Sequence, residues 1–303
     1  MPNVIELIKQ FVPVLDEVYK NASLTSDLDG AAELARAGAN ANELIIPMLD
    51  MQGLGDYSRN SGYVDGDVTL TNETVKCNFD RGRMFTVDTM DNLETAGIAF
   101  GRLAGEFIRT KVVPELDAFR FACYASKAGI SKVSAGAALS TGEALLKAIR
   151  AANDKMDEDE VPQEQRYLYI TPTLMGMIQD LDTTKSREVL QNFAKTVKVP
   201  QTRFYTAVQQ KSGKMVVTGS GDSAATSDET TGGYVKAENA KDINFMIIHK
   251  PAVIQFQKHV APKIITPEQN QTADAYKFGY RNVGIADVYK NKLAGIYCHM
   301  KNS

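Results

Sequence analysis

The stretch 53–67 reads GLGDYSRNSGYVDGD, and it is rich in glycine, aspartate, asparagine and serine, the residues that favour turns. Two runs with the composition of strands follow it, VTLTNETV at 68–75 and MFTV at 84–87. DRGR at 80–83 lies between these runs and carries a turn signal. The pattern predicts a long β-hairpin with few large apolar residues. Such a hairpin is a poor core by itself and is better suited to reaching out and binding another surface.

Helical patterns flank this hairpin on both sides. Apolar residues recur at three- and four-residue steps through 4–19, and Pro13 is expected to kink or divide that helix. The helix fits either packing on its own domain or an arm that lies on a neighbouring subunit. After the hairpin, Asp91 and Glu94 form a variant of the capping box and open a long helix, which Pro114 is expected to kink. A helix of this length would be a structural rod.

The rest of the chain alternates helix and strand before it becomes β-rich. STGE at 140–143 is a capping box that opens a helix, 166–170 reads as a strand, and Thr171 with Pro172 starts a short helix. Residues 213–233 are rich in small and polar residues and predict an exposed loop. Strands are predicted in the last third at 243–249, 252–258, 275–281, 286–289 and 293–299. The sum is an α+β chain.

Length and composition are those of a globular protein. The 303 residues are 44% hydrophobic and 23% charged, which lets the chain bury a sizeable core. No apolar run approaches the roughly 18 to 20 residues of a membrane-spanning helix, and 1–19 lacks the pattern of a signal peptide. Cys77, Cys123 and Cys298 are odd in number and far apart, which favours a reducing compartment over a disulfide framework. Cys123 lies among apolar residues and is expected to pack as a small hydrophobe.

Catalytic and metal-binding motifs are missing from the sequence. His249, His259 and His299 are too far apart for a short ligand motif, and no CxxC or G-x-S-x-G occurs. Gly219-Ser220-Gly221 lacks the Gly-Lys-Ser/Thr that completes a phosphate-binding loop. The acidic run DEDE at 157–160 reads as a solvated loop after a helix, with a cation site as the alternative. The sequence therefore favours a protein that is not an enzyme and has no catalytic, cofactor-binding or metal site.

The order of these elements resembles that of the HK97-like major capsid proteins of tailed bacteriophages. The resemblance covers nearly the whole chain and depends on the joint order of its motifs rather than on any one of them. The motifs are 53–60 with 62–67, DRGR at 80–83, the helix that begins near Asn92, DAYKFGYR at 274–281 and NKLAGIY at 291–297. The resemblance implies an α+β HK97-like capsid fold. Its parts would be an N-terminal arm, an extended hairpin called the E-loop, a peripheral domain with a long spine helix, and an axial domain.

The resemblance also implies boundaries for those parts. Residues 1–40 would be the N-terminal arm, 41–90 the E-loop hairpin, 91–130 the spine helix of the peripheral domain, 131–244 the axial domain, and 245–303 the return strands of the peripheral domain. The implied function is that of a major capsid protein, which self-assembles into hexamers and pentamers of an icosahedral phage shell around double-stranded DNA. The implied location is the virion, with assembly in the cytoplasm of the host bacterium.

Partners and contacts follow from the same resemblance. The chain would bind copies of itself, a portal protein and, by weak and non-specific contact, the packaged double-stranded DNA, and it would need no cofactor and no membrane. A separate scaffolding protein is expected, because the arm-like helix begins within a few residues of Met1. The net charge of −3 suits this role better than the strongly positive charge of a dedicated nucleic-acid binder. Candidate inter-subunit contacts are made by Asp56, Tyr57, Arg59, Arg81 and Arg83.

One chemical feature of the family is not expected here. The family's type member joins an E-loop lysine to an asparagine of a neighbour, with a glutamate assisting. Between Lys20 and Lys111 this chain has one lysine, Lys76, which lies outside the 56–67 stretch expected at the tip. The sequence therefore predicts a shell held without covalent links.

Two other functions remain open at this point. An encapsulin-like nanocompartment shell protein would share the fold and enclose a cargo enzyme instead of DNA. An oligomeric soluble enzyme or binding protein is the alternative from a different class, and the missing catalytic motifs weigh against it.

Overall fold

The computed structural model describes residues 23–30, 36–37, 43–60, 62–90, 98–133, 139–181, 184–218 and 225–301. The helix predicted over 4–19 and the capping pair Asp91 and Glu94 lie outside these residues. In the described part of the chain, no helix is long and apolar enough to cross a membrane.

The described elements combine fifteen strands with five α-helices. The strands are β1 (Arg36–Ala37), β2 (Glu43–Met51), β3 (Val68–Lys76), β4 (Phe79–Asp88), β5 (Ser131–Val133), β6 (Arg166–Ile170), β7 (Lys195–Lys198), β8 (Val208–Gln210), β9 (Met215–Thr218), β10 (Ala225–Asp228), β11 (Tyr234–Lys236), β12 (Ile243–His249), β13 (Val253–Ile265), β14 (Ala275–Val288) and β15 (Ile296–Met300). The helices are α1 (Ile98–Phe107), α2 (Val113–Ser126), α3 (Gly142–Glu158), α4 (Pro172–Gln179) and α5 (Thr184–Gln191).

A five-stranded sheet in the order β5-β15-β12-β6-β7 forms the centre of the fold. Its middle strand β12 is apolar along most of its length because both faces of the sheet are covered. Met246 and Ile248 pack on the α2 side with Phe121, whereas Phe245 and Ile247 face the side of α3 and α4. The side chains of β12 alternate between two covered faces, so the strand reads as an apolar run in the sequence. This is why both of its end residues were predicted correctly.

A second sheet is built from the long antiparallel strands β13, β14 and β4. Phe278 and Tyr280 of β14 pack against Ala104 and Ile108 of the helical rod. The separate strands predicted at 275–281 and 286–289 are one continuous strand, β14. The sheet therefore joins residues near position 80 to residues near position 280.

The turn predicted at 80–83 is wrong. These residues lie inside β4, where Gly82 is paired with Arg281 of β14. A Cβ atom on Gly82 would lie 2.8 Å from the Tyr280 carbonyl oxygen, so glycine is needed there for close strand approach rather than for a turn.

The helical rod runs from α1 through a π-helical segment, Ile108–Val112, into α2. Pro114 was expected to kink the helix, and it lies near the start of α2, immediately after the π segment. Since proline has no backbone N–H, the regular hydrogen-bond ladder is interrupted at this position. The Thr110 hydroxyl donates to the Glu106 carbonyl at 2.5 Å beside it.

Two further predictions have mixed outcomes. The helix predicted from STGE is α3, but its N-cap is Thr141, whose hydroxyl accepts from Ala144 N–H at 3.2 Å. The described parts of 213–233 are not a plain loop, because β9 and β10 pair there as an antiparallel ribbon.

Candidate inter-subunit interface

Strands β2 and β3 form a hairpin that projects from the body of the protein. The pairing runs from Glu43 opposite Lys76 to Met51 opposite Val68, and residues 52–67 form its tip. Only Glu73 and Val75 of β3 are buried, and both lie at the base of the hairpin. A strand of nine residues spans about 30 Å, so the tip lies far from this base.

The hairpin exposes an unusual set of large apolar side chains. Leu54 is 108% exposed, Tyr63 88% and Val64 70%, so most of the surface of these side chains is open to solvent. The other large apolar residues that the hairpin exposes are Leu49, Met51, Tyr57, Val68 and Leu70. A monomeric protein seldom exposes so many large apolar side chains on one element, and surfaces of this kind mark sites of association.

The tip has a defined conformation although it projects. Ser58 and Gly62 exchange two backbone hydrogen bonds of 3.2 and 2.8 Å, and Gly62 has the positive φ of 78° that this turn needs. The rings of Tyr57 and Tyr63 meet with their centroids 4.9 Å apart. A tip that is already folded loses less conformational entropy when it binds.

The five predicted contact residues fall into two groups. Asp56, Tyr57 and Arg59 lie at the exposed tip, as the sequence predicted. Arg81 and Arg83 lie on β4 instead, outside the hairpin, and they bind groups of their own chain. Contact of either group with another subunit stays a prediction.

The intrachain partners of these arginines tie β4 to two other segments. Arg81 Nε donates to Glu115 Oε1 of α2 at 2.8 Å, and its Nη2 donates to the Gly233 carbonyl at 3.2 Å. The Arg83 guanidinium donates to the carbonyls of Thr230 and Thr231 at 3.0 and 3.3 Å. Burial raises the pKa of Glu115, and the charge of Arg81 opposes that rise.

A cleft of about 980 Å³ opens between β4, the helical rod and the segments 211–213 and 231–236. We call it the basic cleft. Its floor is aromatic, with Phe85 and Phe107 at 4.7 Å between ring centroids and Tyr280 beyond them. Gly232 closes one wall, and a Cβ there would lie 2.7 Å from the Arg83 guanidinium. Sequence reasoning missed this cleft because its walls come from four distant parts of the chain.

Three cations of the cleft lack a carboxylate partner. Arg83, Lys111 and Lys211 line the cleft, and none of them forms a salt bridge with another residue of the described ranges. Asp228 and Glu229 lie near Lys211, but their pKa values are lowered mainly by hydrogen bonds from Thr230 and Ser212 respectively and only secondarily by that lysine. The cleft therefore brings three cations without a salt bridge in the described chain next to an aromatic floor.

A buried polar cluster fastens the segment 23–30 to the rod. The carboxylate of Asp117 is fully buried on α2, and it accepts from the hydroxyls of Ser23 and Thr25 at 2.9 and 2.8 Å and from Leu24 N–H at 3.1 Å. Arg203 adds an ion pair at 3.3 Å. Buried charge is tolerated when it is satisfied in this way. Part of the chain assigned to the arm is thus fixed to its own subunit.

In the described chain, the histidines are not grouped into a ligand site. His299 is buried, its ring stacks on Phe245 at 4.9 Å between centroids, and its Nδ1 lies 3.1 Å from the Asn244 amide nitrogen. Desolvation lowers the pKa of His299 and also that of His249, while His259 is exposed on β13. Within the described ranges, no group of three or more metal-ligating side chains converges.

The acidic run and Cys123 are accounted for by local contacts. Asp157 and Glu158 form the last turn of α3 rather than a loop after it, and Asp157 pairs with Arg166 at 2.7 Å. Asp159 pairs with Lys155 at 2.8 Å. Cys123 packs against the central core, as predicted, and burial raises the pKa of its thiol to about 12.

Comparison with known proteins establishes the fold. No protein-family model matches the chain, and no curated protein matches its sequence. A structure from Mycobacterium phage Che8 superposes with a TM-score of 0.61 at 13% identity, covering 91% of this chain and 90% of that one. The capsid of Staphylococcus phage Andhra gives a TM-score of 0.56 at 11% identity, covering 90% and 84%. A virus-like particle from Pyrococcus furiosus gives 0.51 at 11% identity, covering 93% and 98%.

These similarities extend over almost the entire chain. They show that the chain has the α+β fold found in phage capsid structures, and the resemblance stated from the sequence is confirmed at that level. At identities of 11–13%, these similarities show the fold and not the function.

Proposed function

We propose that this chain is a major capsid protein that self-assembles into hexamers and pentamers of an icosahedral phage shell enclosing double-stranded DNA. One observation carries the proposal. A chain with the fold of phage capsid structures projects a folded hairpin whose described tip residues, including Leu54 at 108% exposure, are largely open to solvent. Exposed apolar surface of this extent is explained by burial against another molecule.

The parts of the chain are assigned roles on the same basis. We assign 1–40 to an N-terminal arm, 41–90 to the E-loop, 91–130 to the spine helix, 131–244 to the axial domain and 245–303 to the return strands of the peripheral domain. Two observations refine these assignments. Residues 23–30 are anchored on α2, and β4 pairs with β14, so the projecting part of the E-loop is 43–76.

Assembly follows from repeated weak contacts between identical subunits. A contact between two different patches of the same chain is heterologous, and it generates a ring when the rotation closes. Each subunit would make several such contacts at once, and their combined effect holds the shell together through multivalency. No catalytic step enters this function.

Further partners are proposed from the role itself. A separate scaffolding protein would guide assembly in the bacterial cytoplasm, a portal protein would occupy one vertex, and packaged DNA would touch the inner face weakly. The chain's net charge of −3 is consistent with contact that is weak and non-specific.

An encapsulin-like compartment is the second candidate, and one observation favours it. The virus-like particle from Pyrococcus furiosus shares the fold over 93% of this chain, so the fold serves particles other than phage heads. The content of assembled particles separates the two candidates. Nuclease-resistant double-stranded DNA supports the capsid, whereas a single co-purifying cargo enzyme supports the compartment.

Sedimentation velocity tests the proposal for self-assembly directly. The purified chain, measured over a range of concentration and salt and with candidate scaffolding proteins, is expected to form capsomers, tubes or shells. A single species at the monomer mass of 33.2 kDa under all of these conditions would overturn the proposal.

A further inference from the structure

We propose that the basic cleft is a binding site for a nucleoside diphosphate, with the base on its aromatic floor and the diphosphate at its cations. The site lies apart from the surface proposed for assembly, because no residue of the β2–β3 hairpin lines the cleft. The size of the cleft, the charge of its lining and the backbone of one wall each support this class of ligand.

The cleft has the size of a small-molecule site. Its volume of about 980 Å³ lies at the upper end of the ~300–1,000 Å³ that ligand pockets enclose. Its lining residues come from β4, the helical rod, the segments 211–213 and 231–236, and β14. Because these parts of the chain are far apart in sequence, the opening exists only in the folded subunit.

The charge of the lining favours an anion. The lining side chains include five cations and three carboxylates. Each carboxylate is already held by an arginine, in the pairs Asp80–Arg281, Glu106–Arg109 and Glu115–Arg81. Arg83, Lys111 and Lys211 form no salt bridge with another described residue, so they are the cations that an incoming anion can neutralise. A diphosphate ester carries about three negative charges near pH 7, which matches these three cations.

One wall of the cleft already stabilises negative charge. The backbone N–H of Ser212 donates to Glu229 Oε2 at 2.7 Å, and this hydrogen bond is the main reason that the pKa of Glu229 lies below its ordinary value. Gly213, Gly232 and Gly233 in the same wall have positive φ values of 77°, 64° and 79°. Glycines in this conformation expose backbone N–H groups that an anion can approach closely.

Arg83 is fixed against this wall and keeps donors for a ligand. Its guanidinium donates to the carbonyls of Thr230 and Thr231 at 3.0 and 3.3 Å. Since a guanidinium has five donors, the remaining ones can bind a phosphate. Gly232 permits this arrangement, because a Cβ there would lie 2.7 Å from Arg83 Nη1. A cation that is already held in place loses less conformational entropy when a ligand binds.

The floor of the cleft suits a flat ring. Phe85 and Phe107 meet edge to face with their centroids 4.7 Å apart, and both side chains are partly exposed. Nucleobases stack on exposed aromatic side chains of this kind. Pyrophosphate would use the cations and leave the floor in water, whereas an uncharged nucleoside would use the floor and leave the cations without a partner. A nucleoside diphosphate uses both.

Calorimetric titration of the folded, unassembled subunit tests the inference. The probes are ADP, pyrophosphate, adenosine and a single-stranded DNA of adenines. We expect ADP to bind at one site per chain and about tenfold or more tighter than pyrophosphate or adenosine, since each of these lacks half of the contacts. No binding of ADP at millimolar concentration, or equal affinity for ADP and either fragment, would overturn the inference. Tighter binding of the DNA than of ADP would assign the cleft to nucleic acid and would also overturn it.

Substitutions then locate the bound ligand. K111Q/K211Q removes two cations and F107L removes one ring of the floor, and each should weaken ADP binding by about fivefold or more. The matched control, K147Q/R150Q, removes two exposed cations of α3 outside the cleft and should bind ADP like the wild type. Circular dichroism establishes that each variant is folded.

Unchanged ADP affinity in folded K111Q/K211Q, or an equal loss in the control, would place the ligand elsewhere and overturn the inference. If a cleft variant does not fold, the comparison of probes on the wild-type chain decides. The titrations need no assembly, so failure of the wild-type chain to assemble would overturn the proposed function and not this site.

Discussion

Thr25 Oγ1 donates a 2.8 Å hydrogen bond to Asp117 Oδ1, and the same hydroxyl accepts a 2.7 Å hydrogen bond from Arg120 Nη1. Asp117 and Arg120 lie one turn apart on α2, so a single threonine bridges a buried anion and a buried cation. Gln255 of β13 also donates to the Thr25 carbonyl, at 2.7 Å. These contacts fasten the segment 23–30 to α2 and β13.

Removing the carboxylate at this point should destabilise the subunit strongly. Asp117→Ala leaves Arg203 without its carboxylate partner and the hydroxyls of Ser23 and Thr25 without their buried acceptor, and the expected loss in the free energy of unfolding is about 3–5 kcal/mol. Urea denaturation measures the loss. Asp154→Ala, at an exposed position on α3, is the control and should leave the midpoint unchanged. Equal midpoints for both variants would contradict the role given to this cluster.

Two glycine substitutions should act with opposite signs. At Gly82, a Cβ would lie 2.8 Å from the Tyr280 carbonyl oxygen, so Gly82→Ala should destabilise by about 1–3 kcal/mol through strand separation. At Gly105 of α1, nothing lies within 4 Å of the added carbon, and Gly105→Ala should stabilise the helix by about 0.5–1 kcal/mol. Thermal melting of the two variants tests this. Loss of stability in both would show that the strand contact is not the cause.

Shortening the hairpin should separate folding from assembly. Replacing 52–67 by a two-residue Asn-Gly turn keeps the pairing of β2 with β3 and removes the exposed tip. We expect a melting temperature within a few degrees of the wild type, because the tip contributes little to the core, together with loss of normal shells. The replacement leaves β4 intact, since that strand begins at Phe79. Normal shells from this variant would refute the assignment of the E-loop.

Assembled particles should contain no covalent links between subunits. Lys76 is the one lysine between Lys20 and Lys111, and it lies opposite Glu43 at the base of the hairpin, far from the tip. Particles boiled in SDS with reductant should therefore run as one band near 33.2 kDa. A ladder of dimers to hexamers would contradict this expectation, and Lys76→Arg would then identify the residue involved.

Two of the three cysteines should resist alkylation until the chain unfolds. Burial raises the pKa of Cys123 and of Cys298 from the ordinary 9.0 to about 12. At pH 8 the thiolate fraction in the folded state is then about one part in ten thousand. Iodoacetamide labelling with mass spectrometry should show both thiols protected in the folded protein and reactive in urea.

The same raised pKa values give a pH dependence. Below pH 9 both thiols are protonated whether the chain is folded or unfolded, so they contribute no pH dependence there. Above pH 9 the unfolded chain loses protons that the folded chain keeps, so the free energy of unfolding should fall as the pH rises from about 9 towards 12. Rapid labelling of the folded chain at pH 8 would contradict both expectations.

The sequence predicted the elements whose local residue pattern reflects how they pack in the folded protein. The strands 166–170 and 243–249 match to the residue because apolar runs mark strands covered on both faces. The prediction of a turn at 80–83 was wrong because Gly82 serves close packing against a strand about 200 residues away. No local sequence pattern contains that contact. The hairpin tip was predicted with Asp56, Tyr57 and Arg59 in place, since turn residues are a local signal.

The basic cleft shows the limit of sequence reasoning most clearly. Arg83, Lys111 and Lys211 are separated by up to 128 positions, and each alone reads as a solvated charge. The pairing of β4 with β14, the packing of the rod and the position of the segments 211–213 and 231–236 bring them to one opening. The tip was visible in the sequence, and the cleft was not.

Electron microscopy of the purified chain tests the central claim most directly. The protein, imaged alone and after addition of candidate scaffolding proteins, is predicted to form ring-shaped capsomers, tubes or closed icosahedral shells. Fields that contain only particles of monomer size, at every protein concentration and salt concentration tried, would contradict the account.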